Sequence, residues 1–396
     1  MYRRTYVNID LNRIENNTKK ILTKYNNYKY YFGVVKGNAY GHGLGVIKTM
    51  IDSGINYLAV SNLDEAIKIR KQHKEIPILC LQPINVDFLN ICADNNITIT
   101  VSSEEYIKKI KNINLKLKIH IKINSGMNRL GFDNPNSLKN TISIIKNNKN
   151  FYLEGIYTHM GTLGISDPYW DRQLKKFKDI TKPIDITKIP IIHIDRSVTM
   201  MCHEKIDFCN GVRIGISLYG YNQLPIKQKG LKSMIKAFKA KIRMKRLKIS
   251  ETNVESSILL EPALSLFSEV IEIKRVNPGE FIGYFGYLNK NENFKVATVE
   301  IGYADGIDLR VKNHFVFINK KKYQIIGTIN MGMISIKVDD DVNVGDKVEL
   351  IGDNISIRSV SSHINTTIYE TMTSLSTLLP RIYTKNGIII NDKEDE

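Results

Sequence analysis

The chain has 396 residues, enough for two or three domains, and its 42% apolar and 24% charged residues are typical of a soluble globular enzyme. No secretory signal begins the sequence and no run approaches the roughly 20 apolar residues of a membrane span, so we expect a cytoplasmic protein without a membrane partner. The net charge of +17 does not indicate nucleic-acid binding, because lysine is spread along the whole chain and no nucleic-acid-binding motif accompanies it.

Eight short runs rich in β-branched residues recur through the first half of the chain, and amphipathic segments separate most of them. The runs lie at 31–37, 56–61, 77–82, 97–102, 116–124, 152–159, 189–195 and 211–217. Helix starts are indicated by Asn62, by a capping box of Ser102 and Glu105, and by Asp167-Pro168. Strands that alternate with helices predict a parallel sheet, and eight such units close into a (β/α)₈ TIM-type barrel with catalytic residues at the C-terminal ends of its strands.

After about residue 235 the pattern changes to strands separated by turns. We therefore predict an α/β barrel domain at 1–235 and a mainly β domain at 236–396, and the first few residues are candidates for pairing with the second domain. At the boundary, residues 231–247 can be laid over 260–276 at a constant offset of 29 residues. Two interpretations stay open, a duplicated strand or a chance echo in a lysine-rich sequence. The basic residues there are interpreted as a solvated loop.

The four cysteines form neither a C-x-x-C pair nor a zinc spacing; they are Cys80, Cys92, Cys202 and Cys209. Cysteines this sparse fit a reducing compartment, where they are buried as small apolar groups. We therefore expect no structural metal.

Lys36 lies at the end of the first predicted barrel strand, in the segment VVKGNAYGHG (34–43). At the C-terminal end of a barrel strand a lysine can form a Schiff base with an aldehyde cofactor. A lone lysine after an apolar run is more commonly a surface group, so the assignment depends on the residues around it.

With this segment and the motifs that follow it, the chain resembles the alanine racemase family, whose lysine motif reads V-V-K-A-N-A-Y-G-H-G. The resemblance continues through nearly the whole chain, in KINSGMNRLGF (122–132), GIYTHM (155–160), IIHIDRS (191–197), GVRIGISLYG (211–220), PALSLFSEV (262–270), IGYADGI (301–307), GTINMGMISIKV (327–338), TTIYE (366–370) and LPRIY (379–383). The GYADG motif joined to VVKGNAYGHG is highly specific. The resemblance implies a pyridoxal 5'-phosphate enzyme of fold type III that interconverts L- and D-alanine, usually for cell-wall peptidoglycan, as a homodimer with shared active sites.

The resemblance also implies which residues bind the cofactor. Barrels commonly bind phosphate in the loops after strands seven and eight. Ser197 falls just past the seventh predicted strand, Gly215 and Ile216 lie in the eighth, and the resemblance assigns all three to the cofactor phosphate. Tyr40 and Tyr369 join them in the family. For Ser197 the commoner role would be a helix N-cap before VTMMCHE, and that alternative stays open.

Arg213 resembles the arginine that faces the pyridine nitrogen of the cofactor. A guanidinium can only donate hydrogen bonds, so the ring nitrogen stays unprotonated and the cofactor is a weaker electron sink. His159, assigned to the cofactor site, and His193 match the rest of the family's hydrogen-bond chain around Arg213.

Racemisation needs a base on each face of the substrate's α-carbon. By resemblance Lys36 serves one face, and Tyr303 of the partner subunit serves the other. A tyrosine is a poor base at neutral pH unless positive groups lower its pKa, which the chain of His159, Arg213 and His193 does in the family.

Two further residues, Arg129 and Met331, are assigned to the substrate by resemblance, and Lys122 is assigned a supporting role. Arg129 matches the arginine that holds the cofactor's phenolic oxygen and the substrate carboxylate. Lys122 matches a lysine that is carbamylated in many members of the family and positions that arginine. The backbone N–H of Met331 matches a donor to the substrate carboxylate.

The sequence departs from the family pattern at three places. The usual C-M-D-x is Asn330-Met331-Gly332-Met333, which loses a carboxylate, and D-T-G-M is replaced by a segment that begins Asn124-Ser125. The stretch 221–261 is longer than expected by about one strand and loop. These departures leave the substrate breadth open.

Several other functions compete with alanine racemisation. The nearest is a racemase of another or broader amino-acid set, such as serine or lysine, although Tyr369 narrows the pocket in the family and favours alanine. A non-catalytic pyridoxal-phosphate-binding protein would share the barrel but lack the β domain and Tyr303. A decarboxylase of the same fold type would carry a cysteine-containing motif that is missing here.

Overall fold

The computed structural model describes residues 2–161, 168–222, 258–284, 287–289 and 292–390. The chain forms two compact units. The barrel unit comprises Glu15–Lys36 and Ile47–Glu261, and the C-terminal unit comprises Met1–Ile14, Gly37–Val46 and Pro262–Glu396. The first strand, β1 (Tyr6–Asp10), belongs to the C-terminal unit. The repeated stretch 231–247 and Asp167 lie outside the described residues.

The barrel unit contains a closed barrel of eight parallel strands that follow one another in chain order. They are β2 (Tyr30–Val34), β3 (Tyr57–Val60), β4 (Ile78–Cys80), β5 (Ile97–Val101), β6 (Leu117–Lys122), β7 (Phe151–Tyr157), β8 (Ile191–Arg196) and β9 (Gly211–Ile214). All eight predicted strands are therefore present, and the predicted barrel is confirmed. In β3, β4 and β5 every residue is buried, which is why these strands read as continuous apolar and β-branched runs rather than as alternating ones.

Helices follow the barrel strands and cover them. They are α1 (Leu11–Lys24), α2 (Val46–Asp52), α3 (Leu63–Gln72), α4 (Leu89–Asp94), α5 (Glu104–Ile110), α6 (Pro135–Asn147), α7 (Pro168–Thr181) and α8 (Ser197–Cys202), with short 3₁₀ turns at Val86–Phe88 and Ile186–Lys188. The predicted cap Asn62 does accept a hydrogen bond from the backbone of Glu65. The Ser102 cap was wrong by one residue: Ser103 accepts from the backbone of Tyr106, because Ser102 is still buried behind β5.

The C-terminal unit is built on one nine-stranded sheet, as the prediction of a mainly β second domain required. Its strands besides β1 are β10 (Leu264–Val276), β13 (Phe294–Val299), β14 (Phe315–Ile318), β15 (Lys321–Ile326), β16 (Ile334–Val338), β17 (Lys347–Ile351), β18 (Arg381–Lys385) and β19 (Ile388–Ile390); β11 (Phe281–Ile282) and β12 (Tyr287–Leu288) form a separate hairpin. The order is β13-β16-β15-β14-β17-β10-β1-β18-β19, and an added β10–β13 pairing closes six strands into an antiparallel barrel.

Strand β1, from the N-terminal part of the chain, lies inside this sheet between β10 and β18. Strand β1 pairs antiparallel with β10 and parallel with β18, and its Val7 and Ile9 are fully buried. Helices α9 (Ile357–His363) and α10 (Ile368–Thr373) and the 3₁₀ turns Tyr303–Asp305 and Leu309–Val311 lie beside the sheet. Among the described residues, no helix is long and apolar enough to cross a membrane.

Candidate active site

Lys36 follows strand β2 at the C-terminal end of the barrel, and the chain directly after it takes an uncommon conformation. Gly37, Asn38, Ala39 and Tyr40 all have φ near +50 to +64°, the left-handed region. The turn closes with a hydrogen bond of 2.9 Å from the Gly41 N–H to the Gly37 carbonyl. Each non-glycine residue in this region costs of the order of 1–2 kcal/mol, and such strain is concentrated at functional sites. Sequence reasoning placed a glycine-rich turn here but did not predict its handedness.

Lys36 belongs to a cluster of four cations in the barrel unit, together with Lys122, Arg129 and Arg213. Burial, followed by the charge of Arg129, lowers the pKa of Lys36. Burial followed by the charges of Arg213, Arg129 and Lys36 holds the pKa of Lys122 well below its usual value. These like charges favour neutral amines, and a neutral amine is the nucleophilic form of lysine.

Lys122 ends strand β6 and is only 6% exposed. Its Nζ lies 4.3 Å from the centroid of the Tyr157 ring and makes no hydrogen bond to any described residue. The Arg129 guanidinium, by contrast, lies in an exposed loop and likewise has no hydrogen-bond partner within the described ranges. The Arg129 guanidinium is therefore available to bind a carboxylate or a phenolate.

Arg213 extends from β9 into the barrel and is 3% exposed. Its Nη1 donates to Nδ1 of His193 at 2.8 Å and to the His193 carbonyl, and its Nη2 donates to the carbonyls of Thr158 at 2.6 Å and Ile194 at 3.1 Å. Four of the five N–H groups are thus used, and the Nε–H has no acceptor in the part of the chain that the structure describes. Burial lowers the pKa of Arg213 only to about 10, so it stays protonated at neutral pH. One free, permanently protonated donor fits the lone pair of a pyridine nitrogen.

The two histidines assigned beside Arg213 differ in their contacts. His193 is fully buried and hydrogen-bonded to Arg213, with its ring stacked on Tyr157 at 4.6 Å between centroids. His159 makes no side-chain hydrogen bond to any described residue, although burial and the charge of Arg213 hold its pKa well below its usual value. The structure therefore shows the Arg213–His193 part of the expected chain and no direct link from Arg213 to His159. Tyr157 was not singled out from the sequence; its place in GIYTHM was the available signal.

Ser197 does not cap a helix as its alternative interpretation proposed. It is the first residue of α8, whose cap is Arg196, and its Oγ instead accepts the N–H of Gly215 at 3.0 Å. That bond leaves the Ser197 hydroxyl hydrogen free to donate. The N–H groups of Ile216 and Ser217, in the turn after β9, make no hydrogen bond among the described residues. These donors form a cradle for an anion, and Ser217 is the member that sequence reasoning missed.

The C-terminal unit brings together the two tyrosines assigned to the cofactor phosphate. The rings of Tyr40 and Tyr369 lie 5.9 Å apart at 46°. Their approach is fixed by Gly41, where a Cβ would lie 2.1 Å from the carbonyl oxygen of Met372. Only glycine is accommodated there, with φ of +80°.

The same unit holds Tyr303 and Met331 on two loops that are hydrogen-bonded to each other. The N–H of Tyr303 donates to the Asn330 carbonyl at 3.0 Å, and that of Ala304 donates to the Met331 carbonyl at 2.9 Å. At Gly302 a Cβ would lie 2.2 Å from the Asn330 oxygen, so a larger residue would separate the loops. The Met331 N–H has no hydrogen-bond partner among the described residues and remains available to a carboxylate.

Comparison with known protein families gives two matches that together span most of the chain. The N-terminal domain of alanine racemase matches residues 9–223, and the C-terminal domain of alanine racemase matches residues 263–383. An alanine racemase from Streptococcus suis is 32% identical over 390 residues, which cover 96% of this chain and 98% of that protein.

Solved structures agree over the full length. The crystal structure of alanine racemase from Bacillus anthracis with bound L-Ala-P is 32% identical, with a TM-score of 0.85 over 99% of this chain and 97% of that one. A histidine racemase from Leuconostoc mesenteroides, 24% identical, has the same fold, with a TM-score of 0.81 over 97% of this chain and 98% of that one.

Proposed function

The chain belongs to the alanine racemase family, and we propose that it is a pyridoxal-phosphate-dependent racemase that interconverts L- and D-alanine. The observation that carries the proposal is the state of Arg213. Four of its N–H groups donate hydrogen bonds within the barrel unit. The Nε–H has no acceptor among the described residues, and it would donate to the pyridine nitrogen of the cofactor.

The remaining residues of the barrel unit fit the other parts of the cofactor. The amine of Lys36, with its lowered pKa, would bond to the aldehyde. The Ser197 hydroxyl and the Ile216 N–H would hold the phosphate, and the Gly215 N–H, which donates to the Ser197 Oγ, would orient that hydroxyl. Tyr40 and Tyr369 would hydrogen-bond the same phosphate, and His159 would line the ring. Once bound, the cofactor supplies the electron sink that makes the α-proton of an amino acid acidic.

Proton transfer at the α-carbon needs one base on each face. Lys36 is the base for one face, and the phenolic oxygen of Tyr303 of the partner subunit is the base for the other. Arg129 and the backbone N–H of Met331 would hold the substrate carboxylate, so that the α-hydrogen points toward one base or the other. Lys122, carrying a carbamate, would orient Arg129.

We propose that these two bases meet in a homodimer with shared sites. Tyr303 and Met331 are 45% and 63% exposed, which is unusual for groups that must act away from water and is expected of residues completing another subunit's site. Mixing Lys36→Ala and Tyr303→Ala proteins tests this, because one site of each mixed dimer would have both bases. With full subunit exchange, about a quarter of the native activity should return; no recovery despite proven exchange would place both bases in one chain.

The preferred substrate is alanine, because Tyr369 narrows the pocket in the family. A broader amino-acid racemase is the second candidate, and the glycine at 332 favours it, since a Cβ there would meet nothing within 4 Å. The relatives support alanine by name, and the histidine racemase shows that this fold also accommodates a larger substrate in that protein. D-alanine, as the product of the reaction, would be used in the cytoplasm for the synthesis of peptidoglycan.

A panel of L-amino acids tests the proposal directly. The purified protein, loaded with pyridoxal phosphate, is incubated with alanine, serine, lysine and histidine, and the D-enantiomers are measured by chiral chromatography. We expect alanine to have the highest kcat/KM. Comparable rates for serine or lysine would favour the broader racemase, and binding of the cofactor without any inversion would indicate a non-catalytic protein.

A further inference from the structure

The hydrogen bond between Arg213 and His193 does not end at that histidine. His193 Nε2 lies 2.9 Å from Nδ1 of His120, and His120 Nε2 lies 3.1 Å from Oε2 of Glu154. Both rings are fully buried. A continuous path inside the barrel unit therefore leads from the guanidinium of Arg213 to a carboxylate on strand β7.

The hydrogens along this path can be placed by elimination. A guanidinium only donates, so His193 must accept at Nδ1 and carry its hydrogen on Nε2. That hydrogen must be donated to Nδ1 of His120, which leaves the hydrogen of His120 on Nε2, facing the carboxylate. Burial and the charge of Arg213 keep the pKa of His193 well below its usual value, and burial lowers that of His120, so both rings are neutral. Every hydrogen bond in the path then points from Arg213 toward Glu154.

Packing prevents these rings from turning to another arrangement. His193 lies between two aromatic rings, stacked on Phe32 at 4.5 Å and on Tyr157 at 4.6 Å. His120 packs directly against Gly155, where a Cβ would be 2.5 Å from the imidazole carbon Cε1. The ring positions are therefore set by the barrel, and only the placement of their hydrogens is left to be decided by the groups at the two ends.

Glu154 supplies the fixed acceptor at the far end. Its Oε2 also accepts a hydrogen bond from the Tyr57 hydroxyl at 2.7 Å. The Thr98 hydroxyl lies 2.7 Å from the Tyr57 oxygen and 3.1 Å from Oε2, and its single hydrogen is donated to one of the two. Burial would raise the pKa of this carboxyl, but the hydrogen bonds from His120 and Tyr57 lower it. The group is thus an anion at neutral pH.

We propose that Glu154 is a positioning residue that acts through His120 and His193 on Arg213. Without this acceptor, the His120 hydrogen is no longer held on Nε2 and can move to Nδ1. His193 then loses the acceptor for its own Nε2 hydrogen. His193 could then present an N–H to Arg213, which would force the guanidinium to turn and would displace its free Nε–H. The link to a ring nitrogen rests on the proposed function, whereas the placement of the hydrogens does not.

The hydrogen positions can be measured by NMR on the full chain with ¹⁵N-labelled histidine, both without cofactor and after loading with pyridoxal phosphate. In the native protein we expect His120 and His193 each to show one protonated nitrogen, at Nε2. In Glu154→Leu both should shift to mixed forms. A native His193 protonated at Nδ1, or unchanged spectra in Glu154→Leu, would overturn the proposal.

Two further variants separate a positioning role from a general structural one. In Glu154→Gln the donors His120 and Tyr57 should orient the amide so that its oxygen replaces the carboxylate oxygen Oε2, and the native hydrogen positions should be kept. Tyr57→Phe removes one hydrogen bond to Glu154 but keeps the aromatic ring that lies beside His120, so it should also keep the native hydrogen positions. If the hydrogens of His120 and His193 change position in both of these variants, the effect of Glu154→Leu is merely structural and the proposal is overturned.

Turnover gives an independent readout of the same proposal. If Glu154→Leu does not fold, His120→Leu can replace it, because His120 links His193 to Glu154. In His120→Leu the hydrogen of His193 should shift to the same mixed forms as in Glu154→Leu. In whichever of the two variants folds, kcat should fall about tenfold or more with little change in KM, while Glu154→Gln and Tyr57→Phe stay within about threefold of the native enzyme. Native histidine signals in a protein that racemises no amino acid would refute the proposed function and leave the hydrogen placement standing.

Discussion

Two assigned residues of the barrel unit, Lys122 and Arg213, are buried among like charges, whereas two of the C-terminal unit, Tyr303 and Met331, are exposed to solvent. Lys122 and Arg213 are 6% and 3% exposed, and burial together with neighbouring cations lowers the pKa of Lys122. Tyr303 and Met331 are 45% and 63% exposed. The barrel unit thus lowers the pKa of its own lysine through burial and charge. The C-terminal unit presents exposed groups that would be enclosed only when a second subunit packs over them.

This difference explains why the two units depend on different features of the chain. The barrel unit needs strand ends that bring several cations within reach of one another, at a cost in stability. The C-terminal unit needs close backbone contacts, such as those at Gly302 and Gly41, that hold an exposed side chain in place. Substitutions of the buried cations should therefore change pKa values in the barrel unit, whereas a larger residue at Gly302 or Gly41 should displace the side chains that these contacts hold in the C-terminal unit.

The largest effect is expected from Lys36→Ala, which removes the buried amine. Racemisation should fall by about 10⁴-fold or more, because both the covalent attachment and one base are lost. The native protein should acquire a stable label from pyridoxal phosphate and borohydride at Lys36, detected by peptide mass spectrometry. Lys48→Ala removes an exposed lysine and should change neither result; labelling of another lysine in Lys36→Ala would refute the assignment.

The comparison between the units is sharpened by Tyr303→Phe, which removes only one exposed hydroxyl. Lys36 should still exchange the α-hydrogen of D-alanine for deuterium with little inversion, while exchange from L-alanine slows by about 10²–10⁴-fold. Proton NMR in deuterated solvent measures both rates. Tyr284→Phe, at an exposed tyrosine of the same unit, is the matched control. Equal exchange from the two enantiomers would take the role of second base away from Tyr303.

A smaller effect is expected at Lys122, where burial should permit carbamylation. A neutral amine reacts with carbon dioxide, and the carbamate would place a negative charge among three cations. ¹³C NMR with labelled bicarbonate should show one carbamate signal that disappears in Lys122→Gln and persists in Lys116→Gln. Because the pKa of the amine is lowered, the signal should persist at neutral pH and be lost on acidification. Activity of Lys122→Gln should fall about tenfold to a hundredfold; a signal that survives in this variant belongs to another lysine.

The smallest effect is expected at Gly332, on the exposed face of the C-terminal unit. A Cβ there meets nothing within 4 Å, so Gly332→Asp should change the free energy of unfolding by no more than about 0.5 kcal/mol. The restored carboxylate should raise kcat/KM for alanine severalfold, whereas Gly332→Asn, equal in size but uncharged, should not. Equal kinetics of the two variants would show that charge at this position is unimportant.

Much of the fold could be predicted because its evidence is local. Runs such as ITITV (97–101) are β-branched throughout and carry no charge, which indicates a strand buried on both faces of a parallel sheet. Asn62 was recognisable as a cap from its neighbours alone. The family, confirmed by its two domain matches, was carried by motifs that are contiguous in the chain. The roles assigned to individual site residues remain predictions.

What failed or was missed depended on distances between residues that are remote in the sequence. Ser102 and Ser103 have equal side chains, and the end of strand β5 decides which of them is free to cap the next helix. Ser197 precedes a helix, but its hydroxyl is bonded to Gly215, 18 residues away.

The sequence by itself determined the eight strands, the second domain and the family, because side-chain period and contiguous motifs are properties of neighbouring residues. Only the tertiary structure decided which polar groups meet. His120 and His193 are 73 residues apart in the chain, and the register of strands inside a closed barrel brings them to 2.9 Å. In a dry interior each such pair must satisfy its hydrogen bonds, so the barrel, rather than any motif, determines where the hydrogens around Arg213 lie.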